Sequence, residues 1–216
     1  GSEMCIRDRL ELINPVLGNG NGENWEASVA NPTPGQPNSV RAEEVAPLIG
    51  KVRHDPAIPG STQAVTVTAE LKDEAESAPV AALFWRVSSA APGAFNQVVM
   101  RDDGRTGDGA AGDRRFGGVI PAQAVGTVVE FYVMASDAGG LSRTWPPPGR
   151  NGAGVLVQAA NAFYQVDEEA WNSNYPIYRL AGAVADVELF QSSAWDRNSD
   201  ARVNVTLVTR QGGDTE

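Results

Sequence analysis

Between residues 63 and 72 apolar and polar side chains alternate without a fault, with Val65, Val67, Ala69 and Leu71 on one side and Thr66, Thr68, Glu70 and Lys72 on the other. A repeat of two is that of an extended strand with one buried face, so this stretch predicts a half-buried β-strand. Residues 80–88 place Leu83, Trp85 and Val87 together and end near the turn Ala91-Pro92-Gly93. Residues 127–136 set Val129, Phe131, Val133 and Ala135 opposite Glu130, Tyr132 and Ser136, after which Asp137-Ala138-Gly139-Gly140 turns the chain. Phe116 to Ile120 reads as a further strand, and the apolar runs 155–158 and 162–166 read as closing strands. A long amphipathic helix is nowhere visible. The pattern predicts an all-β chain folded as an antiparallel β-sandwich, with Trp85 in its central core.

The 23 glycines and 14 prolines fall between the short apolar runs, as expected for many strands joined by turns. With 216 residues and 42% hydrophobic content, one or two domains are affordable, and residues 47–166 form the one stretch long enough to be complete. Residues 10–40 read as the last strand of one domain followed by a stiff linker. Pro32, Pro34 and Pro37 fix φ and remove donors there, which predicts an extended exit. Residues 167–216 open something new at Tyr175-Pro176-Ile177-Tyr178-Arg179-Leu180, with a single helical turn over 186–190 and an alternating strand over 202–209. The chain reads as cut at both ends. On that reading the strand over 202–209 has no following partner, and its unpaired backbone lies beside exposed Val203, Val205 and Leu207.

A net charge of −10 repels a phosphate backbone and speaks against nucleic-acid binding. No run of 18 apolar residues is present to span a membrane as a helix. The single cysteine, Cys5, lies in the run Met4-Cys5-Ile6-Arg7-Asp8, which resembles a translated transposase adaptor, so residues 1–9 read as adaptor or tag residues. The remainder holds no thiol for a disulfide framework or a Cys-ligated zinc, a usage that fits an exported protein.

Three resemblances refine this outline. The segment LELINP, NWEAS and PTPGQPNS within residues 10–40 is similar to the closing part of a bacterial lamin-tail-type domain, which implies an immunoglobulin-like fold before the sandwich. Residues 130–137, EFYVMASD, followed by Gly140-Leu141-Ser142, resemble the penultimate strand and final turn of fibronectin-type-III-like domains. YPIYRL and ARVNVTLV are similar to the entry of a CotH-type kinase domain. Together they imply an immunoglobulin/fibronectin-III-like sandwich with partial flanking domains, in a secreted or cell-surface bacterial protein, and a spacer whose partners are its neighbouring domains, a glycan or a cell-surface protein. Phosphoryl transfer needs a lysine, a base and metal carboxylates around one nucleotide. Lys51 and Lys72 are the only lysines and both lie in the sandwich, so no residue here inherits a catalytic role.

The loop 101–113 carries the densest chemistry. Its Gly107-x-Gly109-x-x-Gly112 spacing matches a dinucleotide fingerprint, yet Asp108 and Asp113 bring negative charge where phosphates would sit, and a strand follows rather than a helix. Asp102, Asp103, Asp108 and Asp113 offer hard oxygen ligands for calcium, although their spacing fits neither an EF-hand nor the nonapeptide calcium repeat. The competing reading is a set of Asx turns in which the aspartates cap their own backbone. His54, the one histidine, reads as a hydrogen-bonded residue at a strand end rather than a catalytic base. Trp145 with Tyr132 would make a carbohydrate platform, and Asn204-Val205-Thr206 matches a glycosylation sequon on a strand.

Overall fold

The computed structural model describes residues 10–29, 35–75, 78–150, 153–158, 161–169, 176–191 and 204–210. The adaptor-like run 1–9, Pro32, Pro34, Trp171, Tyr175, Trp195 and Val203 lie outside the described residues. The elements in chain order are β1 (Leu10–Leu12), β2 (Trp25–Ala27), β3 (Leu48–Asp55), β4 (Val65–Lys72), β5 (Val80–Val87), β6 (Asn96–Met100) and β7 (Arg115–Ile120). They continue with β8 (Val128–Ser136), β9 (Ser142–Trp145), β10 (Gly149–Arg150), β11 (Leu156–Val157), β12 (Ala162–Gln165), β13 (Ile177–Gly182), α1 (Val184–Gln191) and β14 (Val205–Arg210).

Two antiparallel sheets face each other. One has the order β3-β4-β7; the other runs β6-β5-β8, and β9 and β12 share the far edge of β8. Strands distant in sequence are neighbours, β4 with β7 and β5 with β8, which is the crossed connectivity of an immunoglobulin-like sandwich. The core lies between the sheets. Val65, Val67, Ala69 and Leu71 from β4 meet Leu83, Val129, Phe131, Val133 and Ala135 from β5 and β8, all at most 1% exposed. Full burial of each of the larger aliphatic side chains contributes roughly 1.5–3 kcal/mol.

Trp85 departs from its expected place. It packs against the core but is only half-buried, and Val87 on the same strand face is exposed. The apolar face of β5 leaves the core toward its end, where Leu83 is the deep residue. A second departure lies in β3. Its pairing with β4 slips by one residue between Gly50 and Arg53, with Lys51 at φ 47°. This bulge switches the inward set from Ile49 to Val52 and His54, so the strand does not alternate as a whole.

The flanks are attached to the sandwich. Leu17 and Val45 bury against Leu48, the first residue of β3, with Ile13 and Ala42 packed around them. Past Gly35 the expected extended exit instead folds back: Ala42 donates its N–H to the Ile13 carbonyl (3.1 Å) and Asn38 Nδ2 to the Leu12 carbonyl (3.0 Å). Asn14 and Asn24, both buried, hold the turn between β1 and β2 by exchanging bonds. At the other end the strand over 202–209 is not left unpaired. Its described part, β14, pairs antiparallel with β13 over six positions, because the matching strand precedes it across α1.

Candidate functional site

The aspartate loop is built around its own amides. Asp102 accepts from the N–H groups of Gly112 (2.7 Å), Asp113 (3.3 Å) and Arg114 (2.8 Å). Asp108 accepts from Asp103 (2.8 Å) and Gly104 (2.9 Å) on one oxygen and from Thr106 N–H (2.8 Å) on the other. Asp103 caps Arg105, and Asp113 caps Ala110 and Arg115. The glycines at 104, 107, 109 and 112 all have positive φ, the conformation that lets the chain coil this tightly. Asp108 is fully buried. Burial alone pushes its carboxyl up, but the amides of Gly104, Thr106 and Asp103 together outweigh it and hold the group down at about 2. No three His, Cys, Asp or Glu side chains among the described residues are arranged to hold a metal ion.

The carbohydrate platform does not form. Trp145 pairs with Val133, so both point inward, and Trp145 packs on the core. Tyr132 lies on the opposite face, where its ring stacks on Phe84 at 4.8 Å and meets Phe95 edge-on at 5.0 Å. Beside them Arg86 sits 4.1 Å over Phe95 and donates to buried Glu130 at 2.7 Å. Asn161 donates to the other Glu130 oxygen at 2.6 Å. Alternation placed Glu130 toward solvent; its charge is tolerated in the interior because both oxygens are met.

His54 is at a strand end and hydrogen-bonded, Nε2 lying 3.2 Å from the Ala57 carbonyl. Its ring stacks on Tyr164 at 5.6 Å and meets Phe131 edge-on at 5.8 Å. Burial pushes its basicity down, against the pull of the Ala57 carbonyl and of Asp55.

The arrangement with most consequence is at the seams between sandwich and flanks. Strand β12 has one edge on β8, and among the described residues no strand pairs with the other. At that other edge Thr206 accepts the Phe163 N–H at 2.8 Å, and Asn204 Nδ2 donates to the Asn161 carbonyl. The side chain of Thr206 in β14 and that of Asn204 just before it thereby take the place of a neighbouring backbone. Arg179 pairs with Asp167 at 2.5 Å, and the Val184 N–H donates to buried Ser88 at 3.2 Å. Ala57, Ile58, Gln165, Arg179 and Val208 line a small crevice there. At the other seam Glu23 accepts the Ile49 N–H at 3.4 Å and faces Arg143 at 3.6 Å. Burial pushes the Glu23 carboxyl up, and Arg143 partly offsets this. The sequence reading missed Thr206, Asn204, Arg179 and Glu23 as seam residues. Its one usable signal was the sequon itself, which puts two hydrogen-bonding side chains on one strand face.

These strands and seams define an immunoglobulin-like β-sandwich with structured flanks. Residues 59–143, which span β4 to β8 and the aspartate loop, match the family model of the conditioned medium factor 2nd Ig-like domain. No curated protein matches the chain.

Proposed function

We propose that this chain is a non-catalytic bridging module that holds the segments on either side of an immunoglobulin-like sandwich in fixed positions. The observation that carries this reading is the double attachment: a hydrophobic seam through Leu17, Val45 and Leu48 on one side, and the Asn204, Thr206 and Arg179 bonds on the other. A free spacer needs neither. In this reading the N-terminal segment closes a lamin-tail-type domain, the β13–β14 hairpin opens a CotH-type kinase domain, and the parent is a secreted or surface-attached bacterial protein. Small-angle X-ray scattering of the chain tests it: a single conformation should account for the profile, and substituting Arg179→Ala with Thr206→Val should require an ensemble. A profile that already requires an ensemble for the unaltered chain would refute the fixed bridge.

A second reading, docking onto a neighbouring domain, is favoured by the outer face of the hairpin. Tyr178, Leu180, Val205 and Leu207 stand there in cross-strand register and are 44–68% exposed. Replacing Leu180 and Leu207 by Ser should leave the fold intact and abolish pull-down of a downstream kinase domain if that domain is the partner; unchanged pull-down would remove this reading.

A further inference from the structure

His54 sits where three pieces of chain meet. It is the penultimate residue of β3, its ring lies on Tyr164 of β12, and its Nε2 holds the carbonyl of Ala57 in the turn that follows. That turn grips the exit from β12. The Asp167 N–H donates to the Pro59 carbonyl at 2.9 Å, and Ser61 donates its N–H to Glu168 at 3.1 Å and its hydroxyl to the same oxygen. Asp167 in turn pins Arg179 of the hairpin. Histidine, turn, exit strand and hairpin thus form one mechanical series.

We propose that this clasp is acid-sensitive: protonation of His54 loosens the 56–61 turn and the exit of β12, and so releases the β13–β14 hairpin while the sandwich remains folded. The inference rests on the docked arrangement proposed above and adds its regulation.

The groups facing the ring support it. Opposite on β4 stands Val67, flanked by uncharged Thr66 and Thr68. From β8 it meets Phe131, and from β12 the Tyr164 phenol, which burial keeps neutral. The Ala57 carbonyl and, after it, ionised Asp55 beside the ring on β3 favour a charged ring, and burial outweighs them. A charged imidazole between two aromatic rings gains some attraction to their faces. Losing its hydration costs more here, so the folded clasp favours the neutral ring. The sign follows. A histidine whose folded value lies below 6.5 contributes stability that is full above that pH and declines as the solution is acidified through it. Glu168 does not confuse this window, because the Ser61 hydroxyl and N–H hold its carboxyl low and it stays charged from pH 7 to 5.

The test is amide hydrogen exchange on the whole chain at pH 7 and pH 5, expressed as protection after correction for intrinsic rates. Phe163 and Asp167 report on the clasp, and Val67 and Val133 on the sandwich. Protection of Phe163 and Asp167 should fall at pH 5 while that of Val67 and Val133 holds. In His54→Phe, which keeps an aromatic ring in the stack, the fall should vanish. Equal protection at both pH values, or a fall that persists in His54→Phe or in His54→Gln, would overturn the proposal. Absence of protection at pH 7 would instead overturn the docked arrangement itself.

Discussion

The hydroxyl of Thr206 accepts the main-chain N–H of Phe163 at 2.8 Å, so a side chain occupies the position that an adjacent strand's carbonyl would fill at the edge of β12 away from β8. Phe163 is 1% exposed although its side chain points away from the main core. Thr206→Val keeps the shape and removes the acceptor. It should cost roughly 1–3 kcal/mol, the range for a buried donor left unpaired. Chemical denaturation followed at a hairpin reporter checks this, and a change below about 0.5 kcal/mol, the size of an ordinary surface substitution, would mean the bond is not structural.

Gly117 is a second point of enforced contact. A Cβ placed there would meet the Thr106 carbonyl at 2.9 Å and Thr106 Cβ at 3.0 Å, so the aspartate loop lies directly on the outer face of β7. Gly117→Ala should therefore lift the loop and lower stability by about 1–3 kcal/mol, as for overpacking. Thermal melting reads it, and the same substitution in a Thr106→Gly background should cost less.

Asp108 ties the loop's stability to acid. Its folded value of about 2 lies below the ordinary 3.8, so its contribution is complete above pH 3.8 and is lost as pH falls toward 2. Asp108→Ala leaves the N–H groups of Asp103, Gly104 and Thr106 without their acceptor and should destabilise the protein by roughly 1–3 kcal/mol at pH 7. The melting temperature of the variant should then depend less steeply on pH between 4 and 2 than that of the parent. Parallel profiles would show that Asp108 is not the titrating group.

Calcium gives a discriminating readout for the same loop. Because the four carboxylates already serve backbone N–H groups, millimolar calcium should leave the melting temperature unchanged. A rise that disappears in Asp103→Ala or Asp113→Ala would establish an ion site.

The two core aromatics expected to be alike should differ. Phe131, 1% exposed, should cost about 3–5 kcal/mol on truncation to Ala, and half-buried Trp85 clearly less. Equal losses would place Trp85 in the core after all.

The inward faces of β4 and β8 were readable because each is uninterrupted and half-buried, and there alternation translates directly into position. Strand β3 was not readable as a whole, since one extra residue near Lys51 reverses which side faces inward. Composition marked the aspartate loop as turn-forming, but its packing on β7 depends on the missing side chain of Gly117, two turns away in sequence. Glu130 looked solvent-facing because alternation carries no record of Arg86 and Asn161 arriving from other strands. The seams were hidden for the same reason: β14 finds β13 by long-range pairing and β12 through the Thr206 hydroxyl, and no local period announces either.

The claim of a fixed bridge is tested most directly by backbone 15N relaxation of the whole chain at pH 7. Amides of β1 and of the β13–β14 hairpin should share one rotational correlation time with those of β4 and β8. A distinctly shorter time for the hairpin, with β4 and β8 tumbling together, would show a tethered flank and contradict the account.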